Sequence, residues 1–166
     1  HSLSDNLKLV GGVSATAQRF TKDLEIRDVD TYDARLGFEH FLDPATGSVI
    51  AFTVAMGTDQ TTENDSPFEN DRWAALLTAS RVISQGILLA ADASYENTDY
   101  DGDTDFFGID RKDDQARGSI SLHLFDWPLQ GWRTIGRVAY TDVDSNIDLY
   151  KYNRTEVGVT FHRAFD

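Results

Sequence analysis

The stretch Asp99-Tyr100-Asp101-Gly102-Asp103-Thr104-Asp105 is the densest group of chemistry-bearing side chains in the sequence. Asp99, Asp101, Asp103 and Asp105 alternate around a glycine and offer hard oxygen ligands on one side of a tight turn, the donor set that calcium takes. The order of an EF-hand loop and its distal bidentate glutamate are missing, so two readings stand: calcium contacts, or a solvated acidic loop. His40, His123 and His162 fall in extended segments and would meet if those segments lined a common lumen. Glu39, Asp92, Glu96 and Glu156 accompany Arg35, Arg117 and Arg137, which makes structural counter-charge their expected role rather than acid–base work. There is no serine nucleophile elbow, no glycine-rich phosphate loop and no His-x-x-x-His zinc pair. The chain also has no cysteine, which removes thiolate chemistry. No enzyme is expected.

What positions these groups is alternation. Between Ser48 and Gly57, Ile50, Phe52, Val54 and Met56 point one way, and Ala51, Thr53, Ala55 and Gly57 the other. Ile120, Leu122 and Leu124 likewise oppose Arg117, Ser119, Ser121 and His123, while Val157, Val159 and Phe161 oppose Glu156, Gly158, Thr160 and His162. Segments of this kind fall at about 6–20, 32–42, 48–58, 72–84, 86–97, 115–126, 132–142 and 151–165. The Ala- and Leu-rich stretch 73–83 reads as strand, because it abuts its neighbour through Ser84-Gln85-Gly86. No convincing helix appears.

Connections alternate in length. Short turns lie near 43–47, 84–86 and 126–131, and longer polar loops near 20–31, 58–71, 97–114 and 142–150. All long loops then fall on one side of an up-and-down sheet, the layout of outer-membrane barrels with short periplasmic turns and long extracellular loops. The same four loops hold 19 of the 28 acidic residues and 4 of the 15 basic ones. The acidity therefore belongs to one end of the molecule.

If the bulky faces meet lipid, the opposite faces place Arg35, Glu39, Asp92, Glu96, Arg117, His123, Arg137, Glu156 and His162 in the lumen. Ile50, Phe52, Val54, Ile120, Leu122, Leu124, Val157, Val159 and Phe161 then face the bilayer. Phe41, Trp73, Tyr95, Phe125, Trp127, Trp132, Tyr140 and Phe165 would form interfacial girdles. The expected fold is an all-β, antiparallel up-and-down transmembrane barrel of about eight strands, a single unit over residues 1–166. Both termini would be periplasmic.

Composition narrows the class. A net charge of −13 over 166 residues argues against a nucleic-acid surface, which starts from a basic footprint. Forty per cent hydrophobic residues are too many for a disordered acidic tail. No run of about 18 apolar residues supports a transmembrane helix. His1-Ser2-Leu3-Ser4 shows no basic region followed by an apolar stretch, so the sequence reads as a mature product or an excised piece.

Specific motifs cluster toward the end of the chain. Ser145, Asn146, Ile147, Leu149, Tyr150, Tyr152 and Arg154, followed by a last strand closing on Phe165, resemble the end of the surface lipoprotein assembly modifier barrel. Arg111-Lys112-Asp113-Asp114 resembles that family's Arg-x-Asp element, and Asp101-Gly102 its acidic loop. The resemblance covers residues 32–165 in pattern and 111–165 in specific motif. It implies an outer-membrane protein that moves surface lipoproteins or related cargo, inserted by the barrel assembly machinery and surrounded by outer-membrane lipids. Family members carry tetratricopeptide repeats before a barrel of about fourteen strands. This chain has no such repeats and fewer strands. It is either the C-terminal part of a larger barrel or a shortened relative that closes by itself. Two other functions remain beside cargo export: a small structural or adhesive outer-membrane barrel, and a soluble lipocalin-like ligand-binding barrel.

Overall fold

Alternating segments joined by tight turns pair with their sequence neighbours, and the structure, a computed structural model, forms one antiparallel sheet. It describes residues 2–4, 6–20, 28–43, 46–61, 68–101 and 108–163. The strands are β1 (Ser2–Ser4), β2 (Leu7–Gln18), β3 (Val29–Asp43), β4 (Ser48–Thr61), β5 (Asn70–Ser84), β6 (Ile87–Tyr100), β7 (Lys112–Phe125), β8 (Trp132–Ser145) and β9 (Tyr152–Arg163). Their spatial order is their sequence order, an up-and-down meander. All eight expected strands are present, including 73–83 inside β5.

The short turns carry the backbone conformations that their residues allow. Gly47 and Gly86 have φ of 59° and 81°, in the left-handed region where a side chain is strained. In the β7–β8 turn Asp126 takes φ 57°, which aspartate tolerates. Its backbone N–H donates to the Trp132 carbonyl at 2.7 Å, and its carboxylate accepts from the Gly131 N–H at 2.8 Å. Register shifts at Phe41/Asp43 and Val82/Ser84 end the β3–β4 and β5–β6 ladders at the turns.

Three features go beyond the expectation. The strands run several residues into the segments read as long loops, so Asp30, Asp59, Asp71, Asp99 and Asp114 sit on paired strand ends. Cross-strand bonds keep that pairing going where the apolar pattern has stopped. Thr31 Oγ1 donates to Asp59 at 2.7 Å, and Lys112 Nζ lies 3.1 Å from Asp99. A short strand, β1, lies against the start of β2, and a 3-10 turn spans Asp148–Tyr150. The third concerns closure. Among the described residues β9 pairs with β8 alone, and β2 carries only β1 on its outer side, so the described sheet is open.

Burial is inverted relative to a water-soluble sandwich. Among the described residues the buried side chains are mainly polar, including Asn70, Thr98, Asp113, Ser119, Thr141 and Ser145, and the buried apolar ones are Ala139, Val143 and Ile147. Val13, Leu36, Met56, Ile120, Val157 and Val159 are exposed. The sheet curls around its polar side.

Candidate functional site: a charged sheet face and the loop clasp beside it

Cross-strand register carries each face through the whole sheet. One row runs Gly12, Arg35, Ala55, Ala74, Glu96, Gln115, Val143, Tyr152. Because side chains alternate, this row and its parity partners place Arg35, Glu39, Asp92, Glu96, Arg117, His123, Arg137, Glu156 and His162 on one polar face. A neighbouring row runs Leu9, Phe38, Phe52, Leu77, Ala93, Gly118, Tyr140, Thr155. Ile50, Phe52, Val54, Ile120, Leu122, Leu124, Val157, Val159 and Phe161 share that opposite, apolar face. His40 falls there too, with Nδ1 3.1 Å from the Asn6 carbonyl. It therefore cannot join His123 and His162, because its position differs from each polar-face position of β3, such as Arg35 and Glu39, by an odd number.

The charges on the polar face are tied across strands. Arg137 on β8 donates through Nε and Nη2 to Ser119 Oγ on β7, at 3.1 and 2.9 Å, and reaches Asp92 on β6 at 3.3 Å. Ser119 in turn donates to Asp92 at 2.5 Å, so one serine bridges three strands. Arg117 lies 3.6 Å from Glu156 across β8, and Arg154 approaches the same carboxylate at 3.5 Å. Arg35 departs from the expected pairing. Its Nε lies 3.5 Å from the Cβ position of Gly12, and Glu39 pairs instead with Lys8 at 3.3 Å. Among the described residues neither Arg35 nor Glu96 forms an ion pair. His123 contacts Ser121 Oγ at 3.1 Å and Arg133 at 2.6 Å. His162 stands opposite Arg133 in register.

The apolar face has its own organisation. Tyr32, Trp73, Tyr95 and Tyr140 line its long-loop end, with Trp73 and Tyr95 ring centroids 5.3 Å apart. Counting from each of these aromatics toward the short turns, the ninth residue is His40, Arg81, Ile87 and Trp132 respectively. Between these limits the face bears no charge on any of the four strands. Two aromatics expected in girdles are displaced: Phe41 and Phe125 have polar-face parity, opposite Val49 and Arg133. Their strands carry bulky residues on both faces near the turns, so size alone misassigns them. Phe165 lies outside the described residues.

Beside the long-loop end, two distant segments lock together. Lys112 N–H donates to Asn146 Oδ1 at 2.8 Å, Asn146 N–H to the Lys112 carbonyl at 3.1 Å, and Asn146 Nδ2 to the Asp110 carbonyl at 2.7 Å. Ser145 Oγ accepts from the N–H of buried Ile147 at 3.2 Å. The Arg111 guanidinium sits 3.7 Å from the Tyr150 ring centroid and 4.5 Å from that of Tyr100, and its Nε donates to Asp113 at 3.0 Å. Burial works against the Arg111 charge, yet the Asp113 hydrogen bond and nearby negative charge raise its pKa further. The cation is permanent. Lys151 closes the turn between Asp144 (3.4 Å) and Asp148 (3.1 Å), and those contacts raise its pKa, chiefly through the bond to Asp148. Leu149 stays exposed, while Tyr152 and Arg154 begin β9 on the polar face.

A family model described as surface lipoprotein assembly modifier matches residues 1–165. The chain belongs to that family. No curated protein and no solved structure matches it. The match extends the motif-level resemblance, which began at residue 111, over essentially the whole chain. In this chain the Arg-x-Asp element and the Ser-Asn-Ile and Leu-Tyr elements are the two halves of one clasp.

The polar face of this family member also holds ties that the sequence did not single out. Arg72 on β5 reaches Asp33 on β3 at 2.7 Å and Asp59 on β4 at 2.9 Å. It crosses β4 at Gly57, where a Cβ would strike the Asp33 carboxylate and fall 2.9 Å from the guanidinium. The available signal was that glycine, since a Gly inside a strand marks close approach. Of the candidate calcium contacts, Asp99 pairs with Lys112, and the Asp101 N–H donates to the Glu69 carbonyl at 3.1 Å. Asp103 and Asp105 lie outside the described residues. Among the described residues no three metal-capable side chains converge.

Proposed function

We propose that this chain is a wall of an outer-membrane β-barrel that carries surface lipoprotein cargo outward, without enzymatic activity. The observation that carries the reading is the apolar face, which begins at Tyr32, Trp73, Tyr95 and Tyr140 and bears no charge on those strands before His40, Arg81, Ile87 and Trp132, each the ninth residue of its span. A membrane-crossing strand needs about 9–11 residues. Monomeric soluble proteins rarely expose contiguous apolar patches beyond a few hundred Å², which disfavours the soluble-barrel alternative. The polar face becomes the lumen lining, the short turns face the periplasm, and the acidic strand ends and loops face outward.

The open edges support an arc of a larger barrel over an eight-stranded one. Exposed edge strands invite pairing, and all twelve residues of β9 are exposed. β1 pairs only with Leu7 and Lys8 at the turn end of β2, which leaves the rest of that edge unpaired among the described residues. Further strands would join β1 to β9 and complete the wall. The lumen lining is rich in small residues, including Gly12, Ala55, Ala74, Ser94, Ala139 and Gly158, which leaves room beside the tied arginines. The partners on this reading are outer-membrane lipids, the barrel assembly machinery during insertion, and lipoprotein cargo.

The test uses the full-length protein in cells lacking its gene. Restored protease accessibility of a surface lipoprotein on intact cells is the expected result. Correct insertion in the outer membrane with no gain in surface lipoprotein would leave a structural or adhesive barrel. Absence from the outer-membrane fraction would overturn the membrane reading.

A further inference from the structure

The apolar face is not uniformly bulky. Ile50, Ala79, Ala91 and Ile120 stand in one cross-strand row, so two methyl groups lie between two large aliphatics. Toward the short turns the next row sets Arg81 opposite Leu89. Leu42, Ile50, Ala79, Arg81 and Leu89 line a groove of about 400 Å³ there, within the roughly 300–1,000 Å³ of small-molecule sites. Asp43, also in its lining, has its carboxylate engaged by the Thr46 hydroxyl at 2.9 Å. Arg81 is an exposed cation at the short-turn limit of the uncharged stretch of β5 that begins at Trp73. Among the described residues its guanidinium has no hydrogen-bond or carboxylate partner, unlike Arg72, Arg111, Arg117 and Arg137.

We infer that this groove is a binding site for an anionic phospholipid, with an acyl chain over Ala79 and Ala91 and the headgroup phosphate on Arg81. The inference rests on the membrane reading proposed above and adds a specific lipid site to it. Charge and shape set the occupant. A trough of alanines between isoleucines takes a flexible hydrocarbon chain without needing hydrogen bonds. An unpaired guanidinium at its end matches a phosphate, which it can bind through two parallel N–H donors. Arg81 is the ninth residue from Trp73 along β5, so on that reading it stands at the lipid–water boundary on the short-turn side. A long side chain there keeps its stem in the apolar layer and its head at the phosphates. The occupant is therefore a lipid of the leaflet nearest the short turns, and not a soluble anion.

Native mass spectrometry of the full-length protein, released from micelles doped with phosphatidylglycerol or phosphatidylcholine, tests the site. Wild type should retain phosphatidylglycerol over phosphatidylcholine by about five-fold, the ratio equivalent to about 1 kcal/mol for one basic side chain near anionic lipid. Arg81→Gln should remove that preference while leaving the phosphatidylcholine count unchanged. Ala91→Phe, which fills the trough, should reduce retention of both lipids. Liposome flotation, run in parallel, reads insertion independently. Insertion with equal lipid preference in wild type and Arg81→Gln overturns the lipid site and leaves the barrel standing. Inorganic phosphate competing away the lipid at equal concentration would overturn the role of the acyl groove. Failure of wild type to float with liposomes would overturn both readings.

Discussion

Arg137 shows what a single residue on the polar face does. Its guanidinium is about half exposed, and it ties β8 to β6 through Ser119. The worth of such a tie depends on what fills the space in front of it. An ion pair open to water contributes about 0–1 kcal/mol, whereas breaking one in a dry interior costs about 3–5 kcal/mol because the surviving charge is stranded. On the barrel reading proposed above, a lumen lined by small residues and open to water predicts the smaller figure. Arg137→Gln should therefore lower unfolding stability by about 1 kcal/mol or less, measured by urea titration in micelles with tryptophan fluorescence. A loss above about 3 kcal/mol would mean that the lumen is packed and dry. Arg117 is the more enclosed of the two. Its Nε and the Thr141 hydroxyl, which face each other in register, are both buried with no hydrogen-bond partner among the described residues.

At the scale of elements, the clasp holds the β8–β9 connection against the start of β7. Asn146 makes three of its bonds, two of them through its side chain, so Asn146→Ala removes two hydrogen bonds at once. At about 0.5–1.5 kcal/mol each, the expected loss is about 1–3 kcal/mol. Because the clasp lies at strand ends, the loss should appear as local opening. Amide exchange should accelerate at Lys112, Asn146 and Ile147 while the centres of β7 and β8 keep their protection. This is also where sequence was least sufficient. Every long strand was legible, because alternation of size survives without tertiary information, as from Ile50 to Met56. The clasp residues were visible as motifs, yet their joining was not, since 111–113 and 145–150 are brought together only by β7–β8 pairing. Arg72 escaped notice because β5 places Leu76 and Leu77 on opposite faces and so conceals its own parity. Phe41 and Phe125 were misassigned for the same reason. Arg35 was assigned to the right face but the wrong partner, since parity fixes direction and not which of several neighbours a long side chain meets.

For the whole molecule, the membrane reading turns on adjacent residues of one strand behaving oppositely. Phe52 and Thr53 are neighbours in β4, yet Phe52 stands in the apolar row with Phe38 and Leu77, while Thr53 faces Gly37 and Leu76 on the polar side. The Phe38 and Phe52 rings are 6.1 Å apart and tilted by 41°, so they also pack on each other. In water, a charge on either exposed surface would cost little beyond lost packing. In a bilayer the two faces differ sharply, because an arginine at the midplane of the lipid face costs about 2–4 kcal/mol while lumen positions tolerate it. Phe52→Arg, Val54→Arg and Leu122→Arg should each show that loss in folding titrations into liposomes. Thr53→Arg, on the lumen side, should fold to nearly wild-type stability. The contrast separates membrane burial from simple damage to the sheet, since all four substitutions introduce the same side chain into strand interiors. Equal tolerance at all four positions, with a protein that stays dispersed without detergent, would show that the apolar face is covered by something other than lipid.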